Sequence, residues 1–540
     1  MNHSTYSYMR ALGFLSVFAA AALTAMGQNN TPETRKLSLE DCIRISIEHN
    51  LEVQVRKYDP QLASFALGGT YGAYDPEFQL SMEHSFNQSP GGVDDQGRPY
   101  AGRELEGDSY RAGIGGVLPW GLNYSLGMGM SDQTISTPGR PATGEPRIVE
   151  NTFFDTSTSN NVTLLTTNYP VAIPAITDNT VSGQLGLFSM RQPLLRNFWT
   201  DNTRLQIVLN KQNIRLSELD LQQQVIDTVT AVELAYFNLI FAQESVIVQQ
   251  KALELAERLL AENRKRVEVG ALAPLDEKQA EAQAAASRAD LLDAQGNEDT
   301  QQRVLKALLS DDYSQWFKVK IQPGDPMVAV PEKFDIQDSW RRGMTLRPDL
   351  QQQKIALEKQ GYIVKFQKNQ LYPQLDVVGS YGYSASGAQW GDAMDQFSGR
   401  DNPFWTVGGQ MSIPLGNRSA RYNYKTAKAN QERINLQLKQ LQQRIMIMIE
   451  DSIATAQTAF QRVKATREAR SFAAAALDAE QKKLESGKST SFEVLRLQRD
   501  LTTAASSEIR ALADYNVALA RLAQTEGSTL ERRRVNMGFQ

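Results

Sequence analysis

Cysteine and histidine are almost missing from this chain. Cys42 is the single thiol, and the histidines are His3, His49 and His84. One cysteine excludes an intrachain disulfide and any thiolate metal cluster. Three histidines, one of them in a leader expected to be removed, leave no material for a His/Cys metal centre. No metal and no other cofactor is expected. An excess of charge of one sign is also lacking, since 57 Lys+Arg face 61 Asp+Glu, so there is no basic surplus to argue for a nucleic acid. Past residue 27 there is no run of about 18 apolar residues, and no membrane-crossing helix is expected. If the chain enters a membrane, a closed β-barrel is the remaining way to satisfy its backbone polar groups. A P-loop and a GxSxG nucleophile elbow are absent too. The acidic pairs Asp311-Asp312 and Asp276-Glu277 read as solvated turn and helix-start charges rather than catalytic carboxylates. The chain does not read as an enzyme.

What is present begins with an address. Arg10 precedes the apolar run 11–25, which ends in Ala25-Met26-Gly27 before a polar stretch. A charged start, a short apolar stretch and small residues at the cleavage point make residues 1–27 a secretory signal peptide. No cysteine follows, so a lipid anchor at that point is not expected.

Self-similarity organises the remainder. Asn50-Leu51-Glu52-Val53, a helical stretch and Asp75-Pro76-Glu77-Phe78 are answered by Arg347-Pro348-Asp349-Leu350, a helical stretch and Tyr372-Pro373-Gln374-Leu375. Both pairs fit one offset of 297 residues. Residues 266–285 align with 483–502 at an offset of 217, placing Gly270 on Gly487 and Asp276 on Glu493. The smaller offset implies an insertion within about 87–180 of the first copy. The pattern reads as two repeats. The first, 28–330, holds a helix over 38–73, strands and inserted loops over 76–192, a long helix over 202–268 and a helix over 276–310. The second, 331–527, has its counterparts at 336–371, 374–413, 418–485 and 490–527, and a tail (528–540) follows. At about 1.5 Å per residue each long helix spans roughly 100 Å. Ile434, Leu438, Leu441, Ile445 and Met448 alternate steps of four and three, the seam of a coiled coil. Two shorter helices stacked end to end would match one long one beside them.

Between helices the period changes to two. Leu375, Val377, Gly379, Tyr381 and Tyr383 alternate with more polar neighbours, as do Trp405, Val407, Gly409, Met411 and Ile413. Each stretch has the length of a tilted membrane-crossing strand. Val377, Tyr381, Trp405, Val407 and Met411 are the expected lipid-facing positions, and Gln374 and Gln410 the lumenal ones. A half-buried strand of a soluble sheet gives the same alternation, but export and very long helices favour the barrel. Within the insertion, 110–118 and 122–130 form a further alternating pair joined by Pro119-Trp120-Gly121. It is read either as extra barrel strands or as a β-extension above the membrane, and the extension is preferred because the second repeat manages with two strands.

The ordered set of segments resembles the TolC family of outer-membrane efflux proteins over nearly all of the chain past the leader. The segments are 37–53, Arg347–Leu350, 371–384, the strand-to-helix crossings at 191–198 and 412–421, and the hairpin tips around Gly270 and Gly487. The resemblance implies a mixed α and β membrane protein: a homotrimer whose twelve-stranded outer-membrane barrel continues as a long periplasmic α-helical coiled-coil barrel. It implies a channel that exports small molecules or proteins to the exterior, with a periplasmic adaptor protein and an inner-membrane transporter as partners and outer-membrane lipid around it. The first repeat departs from the family pattern in offering four strands where two are usual. By the same resemblance the tips Gly270, Ala271, Leu272, Gly487, Lys488 and Ser489 would contact the adaptor. Asp276 and Glu493 would ring a periplasmic aperture, with Arg496 one turn on and able to pair with either acid; helix-start charges favoured by the helix dipole account for the same acids. A soluble periplasmic coiled-coil structural protein is the alternative, and it leaves the strand patterns without a purpose.

Overall fold

The computed structural model describes residues 33–93, 97–139, 145–170, 172, 174–270 and 272–535. The signal-peptide segment and Ala271 lie outside the described residues. In chain order the elements begin β1 (Glu33–Leu37), α1 (Leu39–His49), α2 (Leu51–Arg56), α3 (Tyr58–Tyr71), β2 (Glu77–Gln88), β3 (Gly92–Val93) and β4 (Pro99–Tyr100). There follow β5 (Glu104–Val117), β6 (Asn123–Thr137), β7 (Arg147–Asp155), β8 (Asn160–Asn168), β9 (Ile176–Pro193), α4 (Asn202–Glu268), α5 (Pro274–Leu309), α6 (Tyr313–Trp316) and β10 (Val319–Pro323). The chain continues with α7 (Ile336–Leu346), α8 (Pro348–Asn369), β11 (Gln374–Gly387), α9 (Trp390–Gly399), β12 (Pro403–Ser412), α10 (Arg418–Glu485), α11 (Ser491–Glu526) and α12 (Thr529–Arg532).

The helices form a wall four columns wide. α4 packs against α3 and α5 on one side and against α8 and α11 on the other, and α10 packs on the far side of α8 and α11. Columns of two stacked helices thus alternate with columns of one continuous helix. The wall has two open edges, α3/α5 and α10.

Local chemistry explains where the helices stop. The stretch expected as one helix over 38–73 is broken twice. Asn50 ends α1 and caps α2, its side chain accepting from the backbone N–H groups of Glu52 and Val53. The second break falls at Lys57, where Pro60 lacks the N–H that would bond the carbonyl of Arg56 and its ring crowds that carbonyl. The stretch over 336–371 breaks at Arg347, because the residue before Pro348 is pushed to extended backbone; its φ and ψ are −67° and 122°, against −66° and 123° at Asn50. α1 and α7 lie 297 residues apart and α5 and α11 lie 217 apart, with the same number of residues in each pair.

The main core is a belt around the middle of α4. Val225, Val229, Val232, Tyr236 and Leu239 meet Cys42 and Ile43 of α1, Leu305 and Leu309 of α5, and Ile321 of β10. β1 pairs in parallel with β10, which ties the start of the first repeat to its end. An 18-residue window of α4 is apolar enough, by composition and length, to cross a membrane, contrary to expectation, but 67% of it is buried inside the protein. The reason is that this stretch has protein on several sides. Residues 529–535, expected as a tail, fold back on the belt: Leu530 and Val535 pack on the core, and Arg533 pairs with the buried Glu233 of α4.

The strands form one six-stranded antiparallel sheet in the order β12-β11-β9-β6-β5-β2. The pair at 110–118 and 122–130 is therefore part of this sheet and not a separate one. β5 and β6 are full-height members of the sheet, and β6 pairs with β9 from Asn123 to Thr137. Their turn lies at the helical end, where Gly121 adopts φ +92° and a Cβ would come within 2.8 Å of Arg204 at the start of α4. Sequence alternation could not decide this, because an extension and a sheet member share period two. Beyond the other end of the sheet β7 and β8 make a separate exposed hairpin.

Candidate functional site

Two regions carry the candidate functional chemistry: the sheet, with its two faces, and the far end of the helical wall. In the sheet, cross-strand partners share a face. Tyr381 pairs with Trp405, Gly379 with Val407 and Leu375 with Met411, and Val377 lies on the same face of β11. The five positions expected to face lipid therefore share one side. That side continues through Phe188 and Met190 of β9, Leu126 of β6, Ile114 of β5 and Phe78 of β2. Most of these side chains are exposed, Trp405 and Val407 at 72% each. A soluble coiled-coil protein would have no use for an apolar band of this extent left open to water.

The opposite face is polar and small. The hydroxyls of Ser125 and Ser189 lie 2.7 Å apart across β6 and β9, and Ser380 bonds Thr406 across β11 and β12. At the helical end of this face Asp376 is 1% exposed. It accepts from Arg191 Nε at 2.6 Å and from Gln374 Nε2 at 2.8 Å. Gln374 thus lies on the polar face and helps to hold a buried carboxylate. Sequence reading missed this cluster; Arg191 and Asp376 are 185 residues apart, and no local pattern joins them. It also missed α9, whose Ala393 and Phe397 pack on Val181, Ala385, Met130 and Tyr383 at the end of the sheet away from the helices. Trp390 of α9 donates to Asp132 at 3.0 Å and meets Tyr110 edge-on.

At the other end of the molecule α4 and α10 terminate alike. Gly270 and Gly487 take φ of +74° and +71°, the left-handed turn that glycine makes without strain. Their N–H groups donate to the carbonyls of Val267 and Leu484 at 2.9 and 3.1 Å, and a Cβ at either would meet nothing within 4 Å. The tips are therefore open surface. Ser489 donates to Glu480 within its own hairpin; that bond, with Lys483, holds the Glu480 carboxyl below its usual range.

Asp276 lies in the first turn of α5, behind an N-terminus set by Pro274. Glu493 occupies the corresponding turn of α11, its N–H held by the Thr490 hydroxyl at 3.4 Å. Of the two pairings open to Arg496, the structure has the one to Glu493, at 2.8 Å. The two turns are joined through Asn263, 1% exposed, which donates to the carbonyl of Asp276 at 3.4 Å and accepts from the Ser491 hydroxyl at 3.0 Å. Asn263 was not picked out from the sequence, since a lone asparagine inside a helix carries no signal.

Residues 178–310 and 344–528 match the family described as outer membrane efflux protein. The outer membrane efflux protein BepC of Brucella suis is 23% identical over 361 residues, which span 65% of this chain and 73% of that protein. Among solved structures, the CmeC outer membrane channel of Campylobacter jejuni superposes with a TM-score of 0.60 at 14% identity, over 93% of this chain and 90% of that one. The outer-membrane channel OprN gives 0.62 at 14% identity, over 91% and 90%. The MtrE outer membrane channel of Neisseria gonorrhoeae gives 0.58 at 15%, over 91% and 89%.

Proposed function

The chain belongs to the outer membrane efflux protein family, and from that premise we propose that three copies of it close into one continuous conduit. The protein is an outer-membrane efflux channel whose helical portion lies in the periplasm, and its family works with adaptor proteins and inner-membrane transporters. The observation that carries the trimer reading is the shared pair of open edges: β12 and α10 at one side of the chain, β2 and α3/α5 at the other. Leu62 and Phe65 of α3 and Leu436 and Phe472 of α10 are all more than 60% exposed. Apolar edges of this kind are covered when each copy sets its α10 against the next copy's α3/α5 column.

In this reading the apolar face of the sheet meets lipid and the polar face lines the lumen. The matched offsets of the helices support descent from a duplicated unit. The tips at Gly270–Leu272 and Gly487–Ser489 meet the adaptor, and Asp276 and Glu493 bring six carboxylates near the threefold axis, where they attract cations. The Arg496–Glu493 pair holds that aperture closed. Size determination of the purified outer-membrane protein is expected to give a trimer, and a monomer would overturn the assembly. Val377→Arg and Val407→Arg each cost about 2–4 kcal/mol at mid-membrane and lower trimer yield, while a change at Gln410 does not. For the aperture, Asp276→Asn with Glu493→Gln is expected to weaken cation selectivity in single-channel recording, and unchanged selectivity would reject that role.

A further inference from the structure

The β5–β6 hairpin has no counterpart in the second half of the chain, where β11 and β12 suffice. Its outward side chains continue the apolar band: Ile114 is 47% exposed and Leu126 51%, opposite Phe78 and Phe188 respectively. Its inward residues Gly113, Ser125 and Gly127 are small, like those beside them. The turn at 118–122 touches the start of α4, so the hairpin crosses the whole height of the sheet. Every feature that marks β9, β11 and β12 as membrane wall is present in β5 and β6.

Width gives a second, independent argument. Strands about 4.8 Å apart and tilted by about 40° make six strands occupy an arc of about 38 Å and four strands about 25 Å. Four helical columns at about 8–10 Å spacing occupy about 32–40 Å. At this tilt the six-stranded sheet matches the width of the wall it stands on. The strand count is even, so β2 runs away from the helices and β12 runs towards them. The two free edges, 12 and 10 residues long, are thus antiparallel to one another and suited to pair between copies.

We propose that β5 and β6 are membrane-spanning barrel strands, that the β2 edge of one copy pairs with the β12 edge of the next, and that the trimer closes as an eighteen-stranded barrel. Its backbone diameter is about 36 Å, against about 24 Å for twelve strands at the same tilt. The bore through the membrane is then as wide as the helical tunnel below it, so that the barrel is not what limits cargo size. This rests on the trimer reading above. The test is electron cryomicroscopy of the full chain purified into lipid nanodiscs, with strands counted in the membrane layer, alongside outer-membrane trimer yields of Ile114→Arg, Leu126→Arg and the inward control Gln79→Arg. Eighteen strands are expected, with trimer yield falling about tenfold or more for the two outward variants and unchanged for the control. A trimer with twelve strands and the hairpin above the lipid, or equal tolerance of all three variants, overturns the inference and leaves the trimer standing. An assembly of another size overturns the trimer reading and the strand count together.

Discussion

α4 and α10 are 67 and 68 residues long and end in the same glycine turn, yet they live in different surroundings. Nineteen residues of α4 are buried and only eight of α10. The difference follows from place in the wall. α4 has helical columns on both sides and the belt of α1, α2, β10 and α12 against its middle, so around Tyr236 it is apolar over most of its circumference. α10 has neighbours on one side, and its buried Ile445, Ile449 and Ile453 form a single stripe against Leu350 and Leu522. Its other apolar residues, such as Leu436 and Phe472, are the open edge. Two helices of nearly equal length thus differ in support: one is held within the chain on most sides, and the other leaves apolar side chains open that the proposed trimer would cover.

The comparison is broken most directly at Glu233. This α4 carboxylate is 1% exposed and is paired with Arg533. Arg533→Ala leaves it buried without a counter-charge, which costs about 3–5 kcal/mol. Arg444→Ala on the exposed side of α10 is expected to change stability by no more than about 0.5 kcal/mol. Guanidinium unfolding followed by circular dichroism measures both, and equal losses would erase the distinction between the helices.

Apolar truncation sharpens it. Leu239, fully buried on α4, is expected to cost about 2–5 kcal/mol on change to Ala. Leu436→Ala on α10, where the side chain is 63% exposed, leaves the stability of the chain nearly unchanged and instead lowers the trimer fraction at limiting concentration. A loss of trimer in the first variant alone would place the interface elsewhere.

Cys42 reports on the belt around α4. Burial pushes its thiol up to about 12. Well below the ordinary thiol pKa of about 8.5 the thiol is neutral in both folded and unfolded chains and contributes no pH dependence. Between pH 9 and 12 the unfolded chain ionises and the folded one does not, so stability falls as pH rises. Alkylation at pH 8 is expected to be slow in the folded protein and rapid after unfolding. Equal rates would mean that the belt opens readily.

The smallest effect tests what the two helices share. Gly270→Ala and Gly487→Ala each place a Cβ in a left-handed turn at a cost of about 1 kcal/mol, and the two losses should agree in thermal unfolding. Unequal losses would show that the two tips differ in their support.

Helix ends and the reversal points were legible in the sequence because they are local. The glycines of the tips act on backbone within a turn of themselves, and the breaks at Asn50, Lys57 and Arg347 were there to be read in a capping side chain, in Pro60 and in Pro348. The faces of β11 and β12 were legible for the same reason, since alternation along a strand is a property of the strand. Which strands lie side by side is not. The placement of β5 and β6 between β9 and β2, the packing of α9 on the sheet, the Arg191–Asp376 pair and the Asn263 link all join residues distant in the chain, and only the tertiary structure decided them. The sequence by itself determined what each segment is, through propensity and period. The fold determined what each segment meets, because a strand or an apolar stripe looks the same whichever neighbour covers it.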